Sequence, residues 1–442
     1  MGRQCPPKKS GPEVELTVGA IGARGDGLAE TAGGRVFLPL TAPGDRVRAR
    51  LGPPSAEGRR GEVLVWLERG AGRAEPACRH FGRCGGCTLQ HLAGPGYLAW
   101  KREQLGAALT RAGVGPADDQ SLMVAATPPG DRRRASFTIS RRDREVRAGF
   151  RERLSHRLVD LEACPVLAPA LLALLPQVRR HLGAVLPEGG SAEAVATLLD
   201  GGVDLLLIGP PRLDLPARLA LAELAEAADL GRLSWQPEPR APSEPVAARR
   251  PLRAWFGGVA VEPPPGAFLQ ASGAGEAALI GAVLAGVGAG TGAGAVADLF
   301  CGCGTFSLPL AVAGWRVHGV DGNAAALAAL GRAAAGRGTL TGPRRDLTTE
   351  RRDLGREPLS APELAQFSAV VFDPPRAGAA AQAAALAASA VPVVVAVSCN
   401  PATFARDARL LAGGGYRLTG ALAVDQFLWS AHVELVAVFS RG

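Results

Sequence analysis

The C-terminal part of the chain alternates short apolar runs with helix-like segments, and this alternation constrains the fold more than any other feature. From about residue 255 the apolar runs are VADLF, WRVHGVD, AVVFDPP and VPVVVAVSCN, each followed by a segment of helical composition. Buried strands separated by helices predict a parallel, doubly wound α/β sheet. The last run, VELVAVFSR, predicts an edge strand of that sheet. We assign residues 253–442 to this domain.

The sequence upstream of this domain predicts three further segments. Residues 1–11 are typical of a disordered tail. Residues 12–70 contain short strand-like runs separated by glycine turns, which predict a small OB-like β-barrel. Residues 71–252 predict a central α+β domain. Within it, the apolar spacing of YLAWKREQLGAALTRAGV predicts a helix over residues 96–124, which we expect to pack on the C-terminal domain.

Net charge and cysteine content indicate which kinds of partner and cofactor the protein can bind. The net charge of +8 and the pI near 9.4 fit a polyanionic partner such as a nucleic acid, although a basic protein without such a partner is equally consistent with charge alone. The N-terminal sequence MGRQCPPKKSGPE has no apolar core, and no run is apolar enough to predict a membrane span. We therefore expect a cytoplasmic protein without a membrane partner, whose eight cysteines bind metal or take part in catalysis.

A glycine-rich loop between the first strand and helix of the C-terminal domain predicts a cofactor site. The loop DLFCGCGTF contains Asp298, Phe300, Gly302 and Gly304, and the next strand ends at Asp321, where a carboxylate can bind ribose hydroxyls. Neither GK[ST] nor GxGxxG is present, which disfavours a phosphate-binding loop. The pattern favours an adenosyl ligand without phosphates, S-adenosylmethionine. The alternative is a tight structural turn.

Three reactive side chains follow or begin other predicted strands of the same sheet. Asp373 lies in DPPRAG, Cys399 in SCNP, and Glu434 in HVE at the start of the last strand. The carboxyl ends of parallel strands form the ligand crevice of such folds, so a thiol there can act as a nucleophile and a carboxylate as a base. Each residue alone also fits a purely structural role: Asp373 in a rigid turn, Cys399 as a buried thiol and Glu434 at a solvated strand end.

Four cysteines predict a metal site in the central part of the chain. Cys78, Cys84 and Cys87 lie close together, and Cys164 precedes a proline further along. Four thiolates can hold zinc or a [4Fe–4S] cluster, and the spacing leaves both open.

Basic side chains near the predicted central strands are candidate RNA contacts, since arginine binds phosphate in a bidentate manner. They are Arg132, Arg133, Arg134 and Arg147. A solvated charged face is the alternative.

These motifs together resemble those of the bacterial RNA uridine-C5 methyltransferases. DLFCGCGTFSLPLA, DPPRAG, VSCNPATFARD and DQFLWSAHVEL are similar to that family's motifs in order and content. Residues 12–70 resemble a TRAM domain, and CRHFGRCGGCTLQH with EACPVL resembles the family's [4Fe–4S] site.

The resemblance implies a role for each matching residue. It makes Cys399 the nucleophile and Glu434 the base that removes the C5 proton. It places Gln270 against S-adenosylmethionine, Asp321 on its ribose and Asp373 between cofactor and substrate. It also implies a role near the adenine for Asp346, and cluster ligation by the four cysteines, Cys78, Cys84, Cys87 and Cys164.

The same resemblance favours 23S ribosomal RNA as the substrate of a monomeric enzyme, because the 23S enzymes of this family often carry both a TRAM domain and a cluster. The T-loop uridine of tRNA stays open. Two other classes also stay open: methylation of an exocyclic amine, which needs no thiol, and a non-catalytic RNA-binding protein.

Overall fold

The computed structural model describes residues 11–115, 122–209, 213–290, 294–336 and 347–441. The chain divides into two compact units, which are Met1–Trp100 with Trp429–Ala431, and Lys101–Leu428 with His432–Gly442. A search of the described residues finds no helix that is both long and apolar enough to cross a membrane.

The first unit is built on a sheet of short strands. The strands are β1 Glu13–Thr17, β2 Ala20–Ile21, β3 Gly27–Thr31, β4 Gly34–Leu38, β5 Arg46–Ser55 and β6 Gly58–Glu68. They pair in the order β1-β5-β6-β4-β3-β2. Val47, Ala49 and Leu51 alternate with exposed residues along β5 and lie in the core of this unit, as expected for a sheet with one buried face. The closed barrel over residues 12–70 stays a prediction.

A helix and a strand then lead into the second unit: α1 Gly94–Ala112 and β7 Met123–Ala126. The helix is shorter than the predicted span 96–124. It ends at Ala112 because Gly113 adopts a left-handed conformation, with φ of +75°. Residues 123–126 form a strand instead of a last helical turn.

The middle of the chain forms an antiparallel sheet with helices on one face. Its elements are β8 Arg134–Arg142, β9 Glu145–Arg151, β10 Leu158–Asp160, α2 Pro169–His181, β11 Ser191–Leu199, β12 Gly202–Ile208, α3 Leu215–Ala227, β13 Arg232–Gln236 and β14 Glu244–Ala248. The order is β10-β9-β8-β11-β12-β13-β14, with only β12 and β13 parallel among these pairs. Phe137 and Ile139 of β8 share a core with leucines of α2 and α3. A hairpin follows, with β15 Ala254–Phe256 and β16 Val259–Val261.

The C-terminal elements form the predicted doubly wound sheet. They are α4 Gly273–Val287, β17 Ala295–Leu299, α5 Ser307–Val312, β18 Arg316–Asp321, α6 Ala324–Ala335, β19 Leu347–Arg351, α7 Ala361–Leu364, β20 Ala369–Phe372, α8 Ala380–Ala387, β21 Val393–Ser398, α9 Pro401–Gly413, β22 Arg417–Asp425 and β23 Glu434–Ser440. The sheet order is β19-β18-β17-β20-β21-β23-β22-β7. Strands β17 to β21 are parallel, and β23 is antiparallel to both of its neighbours.

Strand β23 was predicted at the edge of the sheet, and that prediction is wrong. It lies between β21 and β22, and most of its residues are buried on both faces. A run as apolar as ELVAVF fits an interior position, where helices cover both sides of the strand. Leu105, Ala108 and Leu109 of α1 belong to the core on one of those sides, together with Val370 and Phe372.

A buried ion pair ties the two ends of the connection between β22 and β23. Lys101 Nζ lies 2.8 Å from Asp425 Oδ1, with both side chains inaccessible to solvent. The same ammonium donates to the carbonyl of His432, and Thr127 Oγ1 donates to the carbonyl of Asp425 at 2.6 Å. Burial lowers the pKa of Lys101, whereas Asp425 opposes that shift.

Replacement of Lys101 by methionine should therefore destabilise the second unit. Lys101→Met leaves the Asp425 carboxylate buried without its cation, and we expect the free energy of unfolding to fall by about 3–5 kcal/mol. Chemical denaturation of the intact chain measures this. The double variant Lys101→Met/Asp425→Leu is the control and should recover most of the loss. Equal losses in the single and double variants would contradict this interpretation.

Candidate active site

The reactive residues meet at the carboxyl edge of the C-terminal sheet. Asp321 ends β18, Asp373 follows β20 and Cys399 follows β21. Glu434 reaches the same edge because β23 runs in the opposite direction and begins there. Ser398 pairs with Leu435 in the register of β21 and β23, so the next residues outward, Cys399 and Glu434, leave the sheet side by side. The order of strands reverses between β17 and β20, which opens a crevice at this edge.

The loop after β17 has the conformation of a cofactor cradle. Phe300, Gly302 and Gly304 have left-handed backbones, with φ of 63°, 53° and 93°. A Cβ at Gly304 would lie 2.5 Å from Leu330 Cδ1, whereas one at Gly302 would meet no atom within 4 Å. The positive φ of Gly304 favours glycine at this position, and Gly302 faces open space where a ligand can approach the backbone.

Asp321 is held beside this loop by two hydrogen bonds, and its carboxylate can accept further ones. Its Oδ2 accepts from the amide of Gly302 at 2.9 Å, and its Oδ1 accepts from the amide of Asn323 at 2.7 Å. A carboxylate has about four lone-pair sites, so both oxygens can also accept ribose hydroxyls. This geometry fits the adenosyl ligand.

Asp298 lies beneath the cradle and is fully buried. Ser307 Oγ donates to its Oδ2 at 2.5 Å, while its Oδ1 has no hydrogen-bond partner within the described residues. Burial raises its pKa to about 7, and the negative charges of Asp373 and Asp321 act in the same direction. An acceptor of this kind suits a cationic or N–H group of a ligand.

Two glutamines connect Asp373 to the end of β22. Gln270 Nε2 donates to Asp373 Oδ2 at 3.1 Å, and Gln426 Nε2 donates to Gln270 Oε1 at 2.8 Å. Gln426 Oε1 in turn accepts from the amide of Ala271 at 2.9 Å. Sequence reasoning identified Gln270 and missed Gln426, because a glutamine in DQFLW carries no motif signal of its own.

Cys399 is held by the loops that follow β20 and β21. Asn400 begins α9, with its side chain accepting from the amide of Ala402 at 3.1 Å and its Nδ2 donating to the carbonyl of Arg376 at 3.0 Å. Thr403 Oγ1 donates to the same carbonyl at 3.3 Å. These bonds join the two loops on either side of the half-buried thiol.

The thiol and the carboxylate influence each other's charge. Burial, with the negative charges of Glu434 and Asp373, raises the pKa of Cys399 to about 11, and Arg376 opposes this. Burial and Asp373 raise the pKa of Glu434 to about 8, against the effects of Gln426 and Arg376. The crevice thus contains a protonated thiol beside a carboxyl group that can change its charge near neutral pH, a pairing suited to nucleophilic attack followed by proton removal.

The four cysteines predicted to bind metal do not all belong to the same compact unit. Cys78, Cys84 and Cys87 belong to the first unit and Cys164 to the second, and all four are half-buried. The amide of Gly86 donates to Cys84 Sγ at 3.4 Å. Over the described ranges, no group of three or more His, Cys, Asp or Glu side chains is arranged to hold a metal ion. The cluster therefore stays a prediction.

The four arginines predicted to bind RNA make contacts with different kinds of side chains. Arg133 forms an ion pair with Glu276 and donates to the carbonyl of Gln270 at 3.2 Å. Arg132 lies 5.5 Å from the ring centre of Phe427, and Arg134 the same distance from that of Phe268. The exposed Arg147 pairs with Glu145 at 3.0 Å. Asp346 falls outside the described residues.

Comparison with known proteins finds relatives that span nearly the whole chain. The tRNA (uracil-5-)-methyltransferase family profile matches residues 349–441, which include Asp373, Cys399 and Glu434. An uncharacterised RNA methyltransferase of Brucella suis is 43% identical over 97% of this chain and 98% of its own length. The 23S rRNA (uracil(1939)-C(5))-methyltransferase RlmD of Halomonas elongata is 35% identical over 95% of this chain and 88% of its own.

A solved structure gives the same fold. The Pyrococcus abyssi tRNA (uracil-54, C5)-methyltransferase, in complex with S-adenosyl-L-homocysteine, superimposes with a TM-score of 0.74 and 24% identity, covering 96% of this chain and 99% of that one. The C-terminal domain has the class I methyltransferase fold. Since close relatives span nearly the whole chain, it belongs to the S-adenosylmethionine-dependent RNA methyltransferases of the uracil-C5 family.

Proposed function

We propose that this enzyme methylates C5 of a uridine in 23S ribosomal RNA through a covalent adduct with Cys399. The observation that supports the mechanism is the register of β21 and β23, which brings the Cys399 thiol and the Glu434 carboxyl out of the sheet side by side. Asp373 stands close enough to raise the pKa of both groups. Methylation of an exocyclic amine would leave the thiol without a role.

The reaction divides into addition, methylation and elimination. C5 of uracil is a weak nucleophile, and addition of the Cys399 thiolate to C6 converts the ring into an enolate whose C5 carries electron density. S-adenosylmethionine would supply an electrophilic methyl group: as the enolate electrons form the C5–CH₃ bond, the S–CH₃ bond would break with its electrons going to sulfur, and S-adenosylhomocysteine would leave. Glu434 then accepts the C5 proton, the electrons of that C–H bond re-form the C5–C6 double bond, and the Cys399 thiolate leaves.

The cofactor is proposed to lie on the loop after β17. Asp321 would accept the ribose hydroxyls, the backbone from Phe300 to Gly304 would line the adenosyl group, and Asp298 would contact a cationic part of the ligand. Gln270 and Asp373 would stand between cofactor and uracil. A role for Asp346 near the adenine stays part of this proposal.

The choice of 23S RNA rests on the Halomonas relative, which carries that activity in its name. The Halomonas enzyme is 35% identical over 95% of this chain, whereas the Pyrococcus tRNA enzyme covers a similar share at only 24% identity. Arg132, Arg134 and Arg147 are proposed to contact RNA phosphates. Arg133 is engaged with Glu276 and a backbone carbonyl, which favours a role in positioning Gln270.

We also propose that residues 12–70 form an RNA-binding TRAM domain, and that Cys78, Cys84, Cys87 and Cys164 ligate a [4Fe–4S] cluster. The support is the resemblance of residues 12–70 to a TRAM domain, and of CRHFGRCGGCTLQH with EACPVL to the [4Fe–4S] site of the family. The amide of Gly86 donating to Cys84 Sγ is the kind of hydrogen bond that cluster sulfurs accept. No step of the reaction passes through this cluster. A monomer working in the cytoplasm, where ribosomal RNA is found, completes the proposal.

Methyl transfer to 23S RNA tests both substrate and nucleophile. Purified enzyme, methyl-labelled S-adenosylmethionine and RNA from cells lacking the gene should yield labelled 5-methyluridine in 23S RNA. Cys399→Ala should reduce the label to background while retaining S-adenosylmethionine binding, measured by calorimetry. Label in tRNA would overturn the substrate, and full activity of Cys399→Ala would overturn the covalent mechanism.

Glu434→Gln should trap the covalent adduct. Without a base the methylated uracil cannot lose its C5 proton, so a labelled RNA–protein band should accumulate on denaturing gels and disappear in Cys399→Ala/Glu434→Gln. In the wild type, a carboxyl of raised pKa is protonated below that value, so release should slow as pH falls below about 8. Normal turnover by Glu434→Gln would exclude this residue as the base.

Anaerobically purified protein should be brown and contain about four iron atoms per chain, if the four cysteines bind a [4Fe–4S] cluster. Cys84→Ala should lose the visible absorbance, and Cys303→Ala should keep it, because Cys303 is buried in the loop after β17. A colourless wild-type protein with one zinc ion would contradict the iron–sulfur assignment.

A further inference from the structure

Helices α2 and α3 pack against one face of the central antiparallel sheet, and a cavity opens on the other face. Phe137 of β8 and Ala194 of β11 belong to the core beneath these helices. Side chains alternate along a strand, so the residues next to them point to the opposite face. The cavity there has a volume of about 450 Å³, a size typical of small-molecule sites. Its polar lining consists of Ser136, Thr138, Arg151, Ser191 and Glu193.

The sheet fixes the positions of these polar side chains. Glu193 of β11 pairs with Thr138 of β8 on one side and with Ile208 of β12 on the other. Within the part of the chain that the structure describes, neither the Glu193 carboxylate nor the three hydroxyl groups of the cavity take part in a hydrogen bond or an ion pair. Donors and acceptors that a rigid sheet holds in place without partners are available to a ligand.

The same face of the sheet continues from the cavity towards the active-site crevice. Arg134 lies on this face of β8, four residues before Thr138, and so about 13 Å away along the strand. Its guanidinium lies 5.5 Å from the ring centre of Phe268. Two residues after Phe268, Gln270 donates to Asp373 in the crevice. One strand of RNA can therefore reach from the crevice to the cavity.

We propose that this cavity binds an unpaired guanine of the RNA substrate, with the Glu193 carboxylate accepting two hydrogen bonds from the base. The Watson–Crick edge of guanine has two adjacent N–H donors, at N1 and N2, and an ionised carboxylate offers only acceptors. Adenine, cytosine and uracil each have a lone pair beside the N–H donor on that edge, and this lone pair would face a carboxylate oxygen.

The remaining lining of the cavity fits the rest of a nucleotide. Ile208 and Pro239 offer apolar contacts to the faces of the base, and Arg151 can bind a neighbouring phosphate. The hydroxyl groups of Ser136 and Thr138 can donate to the guanine oxygen or pair with the ribose 2′-hydroxyl. The inference assumes an RNA substrate, as the proposed function does, but neither the identity of that RNA nor the covalent mechanism.

Binding of short RNAs to the full chain tests the proposal. Single-stranded oligouridines with one central guanosine, inosine or adenosine carry a fluorescent label, and their affinities are measured by anisotropy at one fixed salt concentration. Inosine lacks the N2 amino group and so loses one hydrogen bond to a charged acceptor, and we expect it to bind about tenfold more weakly than guanosine. Adenosine should bind more weakly still. Equal affinities for the three oligonucleotides would overturn the proposal.

Glu193→Gln tests whether the preference arises in this cavity. Glutamine keeps the volume of the side chain, but it has one acceptor oxygen and an NH₂ group that opposes the N–H donors of guanine. Because loss of a negative charge raises the affinity for every RNA, the measured quantity is the ratio of the guanosine and inosine affinities. This ratio should fall from about ten to about one.

Glu223→Gln is the matched control. Glu223 is an exposed residue of α3, on the side of the sheet that the helices cover, so its replacement changes the net charge equally and should keep the wild-type ratio. Thermal unfolding checks that both variants are folded. An unchanged ratio in Glu193→Gln, or an equal loss in Glu223→Gln, would contradict the assignment to this cavity. Binding needs no methyl transfer, so an enzyme that methylates no RNA would refute the proposed function and leave this result unaffected.

Discussion

The catalytic edge of the sheet depends on one buried ammonium group. Lys101 binds the side chain of Asp425 at the end of β22 and the carbonyl of His432 just before β23. Gln426 follows the first of these anchors, and Glu434 lies two residues beyond the second. The sequence contains only two other lysines, Lys8 and Lys9, against a large excess of arginine. The compact ammonium group of lysine has three N–H donors and can donate to a carboxylate and to a carbonyl at the ends of different strands. The planar guanidinium of arginine is bulkier, and its N–H groups point in fixed directions.

The acids around the crevice are too close to be ionised together. Asp298, Glu434 and Cys399 have raised pKa values because of burial and of negative neighbours, and burial raises the pKa of Asp373 as well. Before substrates bind, the thiol is protonated and correspondingly unreactive towards oxidants and other electrophiles. S-adenosylmethionine carries a positively charged methylsulfonium group. A positive charge in this crevice lowers the pKa of every nearby acid. The positive charge of bound S-adenosylmethionine would therefore favour the thiolate form of the proposed nucleophile, Cys399.

Much of this site could be predicted because its signals are local in sequence. Asp321, Asp373 and Cys399 each follow an apolar run directly, and the carboxyl ends of parallel strands must share an edge. The order of strands is not a local property, which is why β23 was expected at the edge although its apolar content suits an interior position. Lys101 was missed for the same reason, since it lies 331 positions from His432. The end of α1 was misplaced because apolar spacing continues past Gly113, where the backbone turns away.

The antiparallel direction of β23 is what brings the proposed base, Glu434, to the proposed nucleophile, Cys399. A parallel strand beside β21 would begin at the opposite edge of the sheet, and its first residue would lie a full strand length from Cys399. An antiparallel strand begins where β21 ends, so the pairing of Ser398 with Leu435 fixes the positions from which Cys399 and Glu434 project. Backbone hydrogen bonds to β21 and β22, one strand on each side of β23, maintain the separation of Cys399 and Glu434. This separation does not depend on the conformation of any loop. The loop after β21 then affects only the orientation of the thiol, through the hydrogen bond from Asn400 to the carbonyl of Arg376. Ordering the thiol by one side-chain amide costs less conformational entropy than ordering a whole loop, because the sheet has already fixed the backbone.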